Sequence, residues 1–539
     1  GGPRLWHKNS TDPTYTAAVV DSVRGSVYYF MIPGRATGTT VQYYLAAQDS
    51  APANNVGTWP PGGSGINPPG STAPANVFSY IVQSPLAAGS YTVGVGGYFP
   101  TLDSAFRKLS LDGIAGAVTL NLTDSVYAIP GKPRRILKES EPEYVEVNGK
   151  KEIKVQISPC EYEQEDAPTI ALQTLAGPII GAGPSSRVTI RPAAGRNVTL
   201  AGTGTYILRL LDASYVTLDG INSGGSSLTI RNTAGNALAL EGSSDNNIVQ
   251  NVSFASFGIG GSGIVLQNTD ASKTPDLNLI QNNVFTKGWV GVAVNGSATL
   301  GYATGNRITR NIIKFTEADS LNQIGIFFQN ASGTLIDNNT IGRLRNFISI
   351  GTPTGISGSG RHRNTRIWNN VISDIIHINS GDVSAAYGIN VTATAGETTK
   401  VAVYNNMIYG IDDQTVGNGR GSRGISFTQG INDTIAYNTV YLSGPDGFLS
   451  AALYNNFTAS PASRVWRNNI AINERVPMAG ARTYAFVLDD ATSQISSNYN
   501  DLYVPSQINS YVAGGFTTAT FNYPTLLDWQ TTGQDLNSV

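Results

Sequence analysis

The sequence predicts an all-β chain: a long stack of β-coils with a smaller β-sandwich module in front of it. Three observations carry this. First, one pattern recurs, in which two alternating apolar residues precede Asn and another apolar residue follows. It runs from Ile248-Val249-Gln250-Asn251-Val252 to Val465-Trp466-Arg467-Asn468-Asn469. Its aligned Asn residues, Asn251, Asn283, Asn311, Asn339, Asn370, Asn406, Asn438 and Asn469, step by 28 to 36 residues. Second, Gly followed by alternating apolar residues lies between the copies, as in Gly263-Ile264-Val265-Leu266 and Gly424-Ile425-Ser426-Phe427. Two period-2 strands per repeat point to stacked β-coils, because helical repeats space their apolar residues by three and four. Third, the 539 residues are only 13% charged, with 60 Gly and a net charge of −2. That balance excludes a coiled coil and disfavours a dedicated nucleic-acid binder.

The front module spans residues 1–84. Its segments 25–32, 40–47 and 77–82 are rich in aromatic and β-branched residues and bounded by Gly, Pro and Asp, so they read as strands. The run Thr39-Thr40-Val41-Gln42-Tyr43-Tyr44-Leu45-Ala46-Ala47-Gln48-Asp49 resembles a late strand of bacterial immunoglobulin-like or fibronectin-like modules. Such a sandwich needs about seven strands. Four or five are legible, with the opening ones absent. A shortened front end accounts for this, and so does a neighbouring subunit that supplies the missing strand. Gly1 in place of Met, with no signal peptide, predicts a processed or trimmed form.

The coil domain spans residues 85–539. It opens with Tyr91-Thr92-Val93 and then Thr101-Leu102-Asp103-Ser104-Ala105-Phe106, which predicts a strand and a short capping helix near 101–110. Thr101 is the N-cap, Leu102, Ala105, Phe106 and Leu109 form one face, and Gly113 is the stop. Residues 131–168 hold 16 of the 72 charged residues, around a predicted hairpin with Asn148-Gly149 at its turn. This insertion reads either as a solvated hairpin or as an arm that docks on a partner.

About 11 coils at a strand spacing of roughly 4.8 Å give an axis of about 50 Å. Like residues stack on like, and no coil buries its apolar face alone. The recurrent Asn is predicted at a corner, where it tolerates left-handed backbone and bonds to the Asn of the next coil. These Asn residues are therefore structural. The array resembles the right-handed parallel β-helix proteins of the pectin-lyase-like superfamily over about residues 90–539. With the immunoglobulin-like strands, it resembles secreted surface proteins of Bacteroidota, which implies an extracellular or cell-surface location. In those proteins a type IX secretion sorting domain commonly follows; none is present here, and the ending Gly533–Val539 reads as an interrupted pattern.

Many proteins of that superfamily cleave polysaccharides, so the resemblance implies candidate chemistry that the residues must support. The best cluster is Asp412 and Asp413 with Arg420 and Arg423, with Asp374, His377 and Asp382 one coil earlier. Arg361-His362-Arg363 with Arg366 is a second group. Adjacent acids also occur at Asp489-Asp490 by chance. No specific catalytic motif is present, and the single Cys160 excludes a disulfide within the chain and a cysteine-based zinc site. No cofactor is expected; calcium at Asp412 and Asp413 is the one candidate. Ten Asn-X-Ser/Thr sequons, such as Asn121, Asn295, Asn390 and Asn456, follow from the composition. No run of 18 apolar residues predicts a membrane span. The leading expectation is a non-enzymatic extracellular structural or adhesive protein, a subunit of a fibre or layer built by strand complementation, whose partner is a second copy of itself or a surface glycan. The alternatives are a polysaccharide lyase or glycoside hydrolase in the β-helix groove, and a glycan-binding module using Trp289, Trp368 and Trp466. Trp368 and Trp466 are read as equivalent positions beside the turn Asn.

Overall fold

The computed structural model describes residues 2–539 apart from 25–26, 52–53, 130–142, 148–149, 155–172, 223–224, 257–259, 271, 298, 300, 316–322, 347–350, 379–384, 415–420, 447–448, 457–462, 478–479, 490–494 and 516–520. The chain divides into two compact units, Gly1–Leu86 and Ala87–Val539. No helix among the described residues is long and apolar enough to cross a membrane.

In the first unit, Thr16–Ala17, Arg4–Asn9, Thr40–Gln48 and Val56–Trp59 form an antiparallel sheet in that order. Phe78–Ile81 also pairs with Thr40–Gln48. Trp6, Tyr44 and Ala46 are its buried centre. Trp6 Nε1 donates to the Pro69 carbonyl at 3.0 Å and Tyr44 Oη to the Gly70 carbonyl at 2.7 Å, so each ring brings a satisfied polar tip into the core. Arg4–Asn9 is a strand that the reading of the sequence did not include. Among the described residues, Val27–Met31 pairs only with Val19–Arg24, as a separate two-stranded ribbon.

The second unit is a right-handed parallel β-solenoid of about 11 turns. Each full coil carries three strands, not two. Among the described residues, sheet A has 13 strands, from Gly89–Val93 to Ile495–Asn498, and sheet B has 12, from Val126–Ile129 to Asp501–Tyr503. Sheet C also has 13, from Gln173–Ala176 to Asn522–Tyr523, the last pairing antiparallel. The Asn pattern hid a strand because it straddles a corner: Ile248–Gln250 belongs to sheet A and Val252–Ser256 to sheet B. The glycine pattern is sheet C. There, a Cβ on Gly355 would lie 2.5 Å from Gly388 O and 2.5 Å from Ile372 Cγ2 of sheet B. Gly388 meets the same pair of obstacles one coil on, at Gly424 O and Ile408 Cγ2. These glycines answer the close approach of two sheets.

The corner between sheets A and B divides two tasks between consecutive residues. Asn251, Asn282, Arg310, Asn338, Asn369, Asn405, Tyr437, Asn468 and Tyr499 hold the left-handed backbone, with φ of 55° to 60°. The next residue forms the ladder. Asn370 N–H donates to Asn406 Oδ1 at 3.1 Å and Asn406 N–H to Asn438 Oδ1 at 3.1 Å, while Asn406 Nδ2 donates to the Ile367 carbonyl at 3.0 Å. The ladder runs through Asn283, Asn311, Asn339, Asn370, Asn406, Asn438, Asn469 and Asn500. This corrects the expectation for Asn251, which is a left-handed turn residue whose Nδ2 donates to Asp219 at 2.8 Å. Val252 stands in the ladder position of that coil, and its N–H donates to Asn283 Oδ1 at 3.0 Å. A second, shorter ladder of Asn247, Asn278 and Asn306 lies at the corner from sheet C to sheet A.

A helix spans Leu102–Asp112, with Thr101 and Ser104 in a reciprocal capping box and Leu102, Ala105, Phe106 and Leu109 buried. Gly113 follows with φ 70°. Near the other end, the helix Leu526–Gln530 sets Trp529 edge-on against Phe486. Glu143–Val147 pairs antiparallel with Lys150–Lys154. The rest of the charged insertion, Cys160 included, lies outside the described residues.

Candidate functional site

The structure separates the acids and arginines that the sequence placed together. Asp412 and Asp413 end the sheet-B strand Met407–Asp413, and neighbours in a strand face opposite ways. Asp413 is buried, with Oδ1 3.1 Å from His377 Nδ1 and Oδ2 accepting the Gly421 N–H at 2.9 Å. Its own N–H donates to Ser422 Oγ at 2.9 Å, so Asp413 fastens the passage from sheet B to sheet C. Asp412 pairs with Arg475, whose Nη1 also donates to the Ile411 and Ser443 carbonyls at 2.9 and 3.0 Å. Arg423 belongs to sheet C. Its guanidinium carbon lies 3.8 Å from the Tyr454 ring centroid and 5.5 Å from that of Tyr387. Arg420, Asp382 and Asp490 lie outside the described residues.

The other expected groups are tied down too. Asp374 pairs with Arg345 at 2.6 Å. Arg361 and Arg363 both hold Glu397, at 3.3 and 2.7 Å, and keep its carboxyl below the usual carboxylate range against the cost of its burial. His362 between them points into the core, edge-on to Phe328, and burial pushes its pKa down to about 4. Arg366 has no ion pair and no side-chain hydrogen bond among the described residues. Among the described residues, no group of three or more His, Cys, Asp or Glu is placed to hold a metal ion.

What the fold does assemble is a polar column on the outward face of sheet C. Leu266, Val294, Phe328, Val391 and Phe427 point into the core. The residue after each faces out, because strand side chains alternate. In register from coil to coil these are Gln267, Asn295, Gln329, Ser359, Thr392, Thr428 and Asn456. All are half-buried or exposed amides and hydroxyls. Asn295 Oδ1, and Ser426 Oγ in the adjacent column, are buried with no hydrogen-bond partner among the described residues. At the late end of this face Arg423 lies against the rings of Tyr387 and Tyr454, and Tyr454 Oη donates to Asp489 at 2.8 Å. Burial pushes the Tyr454 phenol up to about 12, so it remains a donor. The sequence held a signal for this face. Once the glycines are aligned, Tyr387 and Arg423 each stand directly before one, and the polar column stands four residues after.

The tryptophans are not equivalent. Trp466 pairs with Ile435 inside the coil and is fully buried against Phe427 and Phe486. Trp368 pairs with Tyr404 on the outward face of sheet A, where the two rings stack at 5.8 Å. Trp466 stands three residues before its ladder Asn and Trp368 two, and one residue of offset moves a side chain to the other face. Trp289 is half-buried beside Gly260.

No family model matches this sequence, and no curated protein matches it either. Solved structures that are similar include the GH136 lacto-N-biosidase from Eubacterium ramulus, at 11% identity and a TM-score of 0.43, covering 79% of this chain and 67% of that one. The periplasmic alginate epimerase is similar at 11% identity and a TM-score of 0.32, covering 61% and 76%. A tailspike protein of E. coli bacteriophage HK620, solved in complex with a pentasaccharide, is similar at 12% identity and a TM-score of 0.29, covering 62% and 64%. These are likenesses of fold and assign no role to any residue here.

Proposed function

We propose that this chain is an extracellular, adhesive β-solenoid that binds a glycan along the outward face of sheet C without turning it over. The observation that carries the reading is the in-register column from Gln267 to Asn456. Its groups recur at roughly 4.8 Å, close to the rise of one sugar unit in an extended glycan. Amides and hydroxyls both donate and accept, as sugar hydroxyls do. A glycosidase needs two carboxyls facing one bond. Asp412 and Asp413 point apart and are engaged with Arg475 and His377, which favours binding over catalysis.

A glycan array, followed by calorimetry on the best ligand, tests this. The triple variant Gln329→Ala, Thr392→Ala, Thr428→Ala should fold normally and lose at least tenfold in affinity. Release of new reducing ends or unsaturated products from the bound glycan would sink the non-catalytic reading. A folded protein that binds nothing on the array would sink the glycan reading itself.

Self-assembly is a second reading, favoured by one observation in the first unit, which we take as an immunoglobulin-like module. The ribbon Val19–Arg24 with Val27–Met31 leaves Val19, Val27 and Met31 more than half exposed. A two-stranded ribbon is marginal alone, and a strand from a neighbouring copy would cover it. Light scattering that finds only monomers at high concentration would remove this reading.

A further inference from the structure

We infer that the outward face of sheet A carries a second, separate binding site, for the anionic group of an acidic saccharide. The site is an open basin of about 420 Å³ lined by Asn364, Arg366, Lys400, Ala402, Asn432 and Thr434. That volume is within the range of small-ligand sites.

The basin has a cause in the register. One outward column of sheet A reads Arg307, Leu335, Arg366, Ala402, Thr434 from coil to coil. The side chains shrink after Arg366, and the surface sinks. The next outward column reads Asp337, Trp368, Tyr404, Ala436 and sinks one coil later. The stacked Trp368 and Tyr404 therefore stand two residues along the same strands from Arg366 and Ala402, about 7 Å away. A saccharide whose charge sits in the basin meets an aromatic wall beside it.

The charge balance gives the class of ligand. Among the described residues, three acids of the neighbouring strands and corners are held by other arginines: Glu397 by Arg361 and Arg363, Asp337 by Arg307, and Asp433 by Arg464. Arg366 and Lys400 make no ion pair and no side-chain hydrogen bond among the described residues. Two cations with no ion pair among the described residues, with the amides of Asn364 and Asn432 beside them, fit a carboxylate or sulfate on a hydroxylated ring. A guanidinium binds either group through paired hydrogen bonds. Arg366 was one of four members of the basic group read from the sequence, and the structure leaves it for a ligand while Glu397 takes Arg361 and Arg363.

The test is calorimetry on the full chain with three probes of equal length: an oligogalacturonate, its carboxyl-reduced neutral counterpart and a sulfated oligosaccharide. At least one acidic probe should bind at least tenfold more tightly than the neutral one, more weakly as salt rises. The double variant Arg366→Gln, Lys400→Gln should lose at least tenfold for that probe while keeping the circular dichroism of the parent. Preference between the acidic probes identifies the group as carboxylate or sulfate. Equal binding of the neutral probe, undiminished binding in the double variant, or no binding of either acid overturns the inference. A DNA oligonucleotide that binds as tightly as the acidic sugar overturns the saccharide assignment. The triple variant of sheet C should leave this binding unchanged, so the two sites fail or stand separately.

Discussion

At the scale of single residues, the buried ionisable groups make the sharpest predictions. His362 is fully buried, its Nδ1 reaches the Ser359 carbonyl at 3.3 Å, and its Nε2 has no hydrogen-bond partner among the described residues. Burial lowers its pKa from 6.5 to about 4. The unfolded chain therefore takes up a proton near pH 6.5 that the native chain refuses until about pH 4. Stability falls as pH drops through that window, by on the order of 3 kcal/mol, and this contribution is flat below it. His362→Phe should remove that slope in denaturant titrations at pH 7.5, 6 and 5; an unchanged slope would disprove the assignment. Asp433 and Arg464 pose the opposite problem. Burial works against both charges, pushing the Asp433 carboxyl up and the Arg464 guanidinium down. They meet at 3.2 Å, and Asp433 also accepts from the Val401 N–H at 2.8 Å. Asp433→Ala strands the buried Arg464, which costs about 3–5 kcal/mol. Adding Arg464→Met should recover most of the loss, and a double variant no better than the single one would contradict this account.

At the scale of elements, the corner and the glycine column divide what the sequence disclosed from what it concealed. Asn406→Ala removes the acceptor for the buried Asn370 N–H and the donor to the Ile367 carbonyl, while Asn370 Nδ2 keeps the Ile336 and Trp368 carbonyls. Leaving that buried donor unmet costs about 1–3 kcal/mol. Asn405→Gly keeps the left-handed turn at φ 56° and should cost only a few tenths. Comparable losses from the two variants would contradict the division of labour between neighbours. The rhythm of the coils was legible because apolar alternation and Asn recur every turn. The third strand was not, because sheet-A strands such as Ile367's are three residues long and run into sheet B through only two residues, Asn369 and Asn370. Asn251 misled for the same reason: where Asn-Asn occurs, either residue aligns with a lone Asn, and only the hydrogen bonds tell which is the rung. The glycines were visible but their reason was not. Gly355→Ala should cost about 1–3 kcal/mol from overpacking against Ile372 and the Gly388 carbonyl, and the same substitution should cost less when made in an Ile372→Ala background, whose own cavity is destabilising. The Asp412–Asp413 site failed because adjacency along a strand means opposite faces, whereas the polar column, spaced one coil apart in the sequence, shares a face.

At the scale of the whole solenoid, stability is a sum over neighbours. Each coil pairs with the coil before and after it in all three sheets, and the ladder bonds run only between adjacent coils. In a stack of this kind, damage spreads as far as nearest-neighbour coupling carries it and no farther. A globular core would instead lose protection everywhere at once, because its most protected amides exchange through global unfolding. Hydrogen exchange on Asn406→Ala separates these outcomes. Amides of Ile367, Val403 and Ile435, in the coil of the substitution and its two neighbours, should exchange faster. Those of Val188 and Ile190, seven coils away, and of Leu502 near the far end should keep their protection. Uniform loss along the chain would mean that the coils unfold as one cooperative body, and a glycan laid along sheet C would then stabilise all of them together. If the loss is local, a bound glycan protects only the coils it crosses, and the protected span reads its footprint on the column from Gln267 to Asn456.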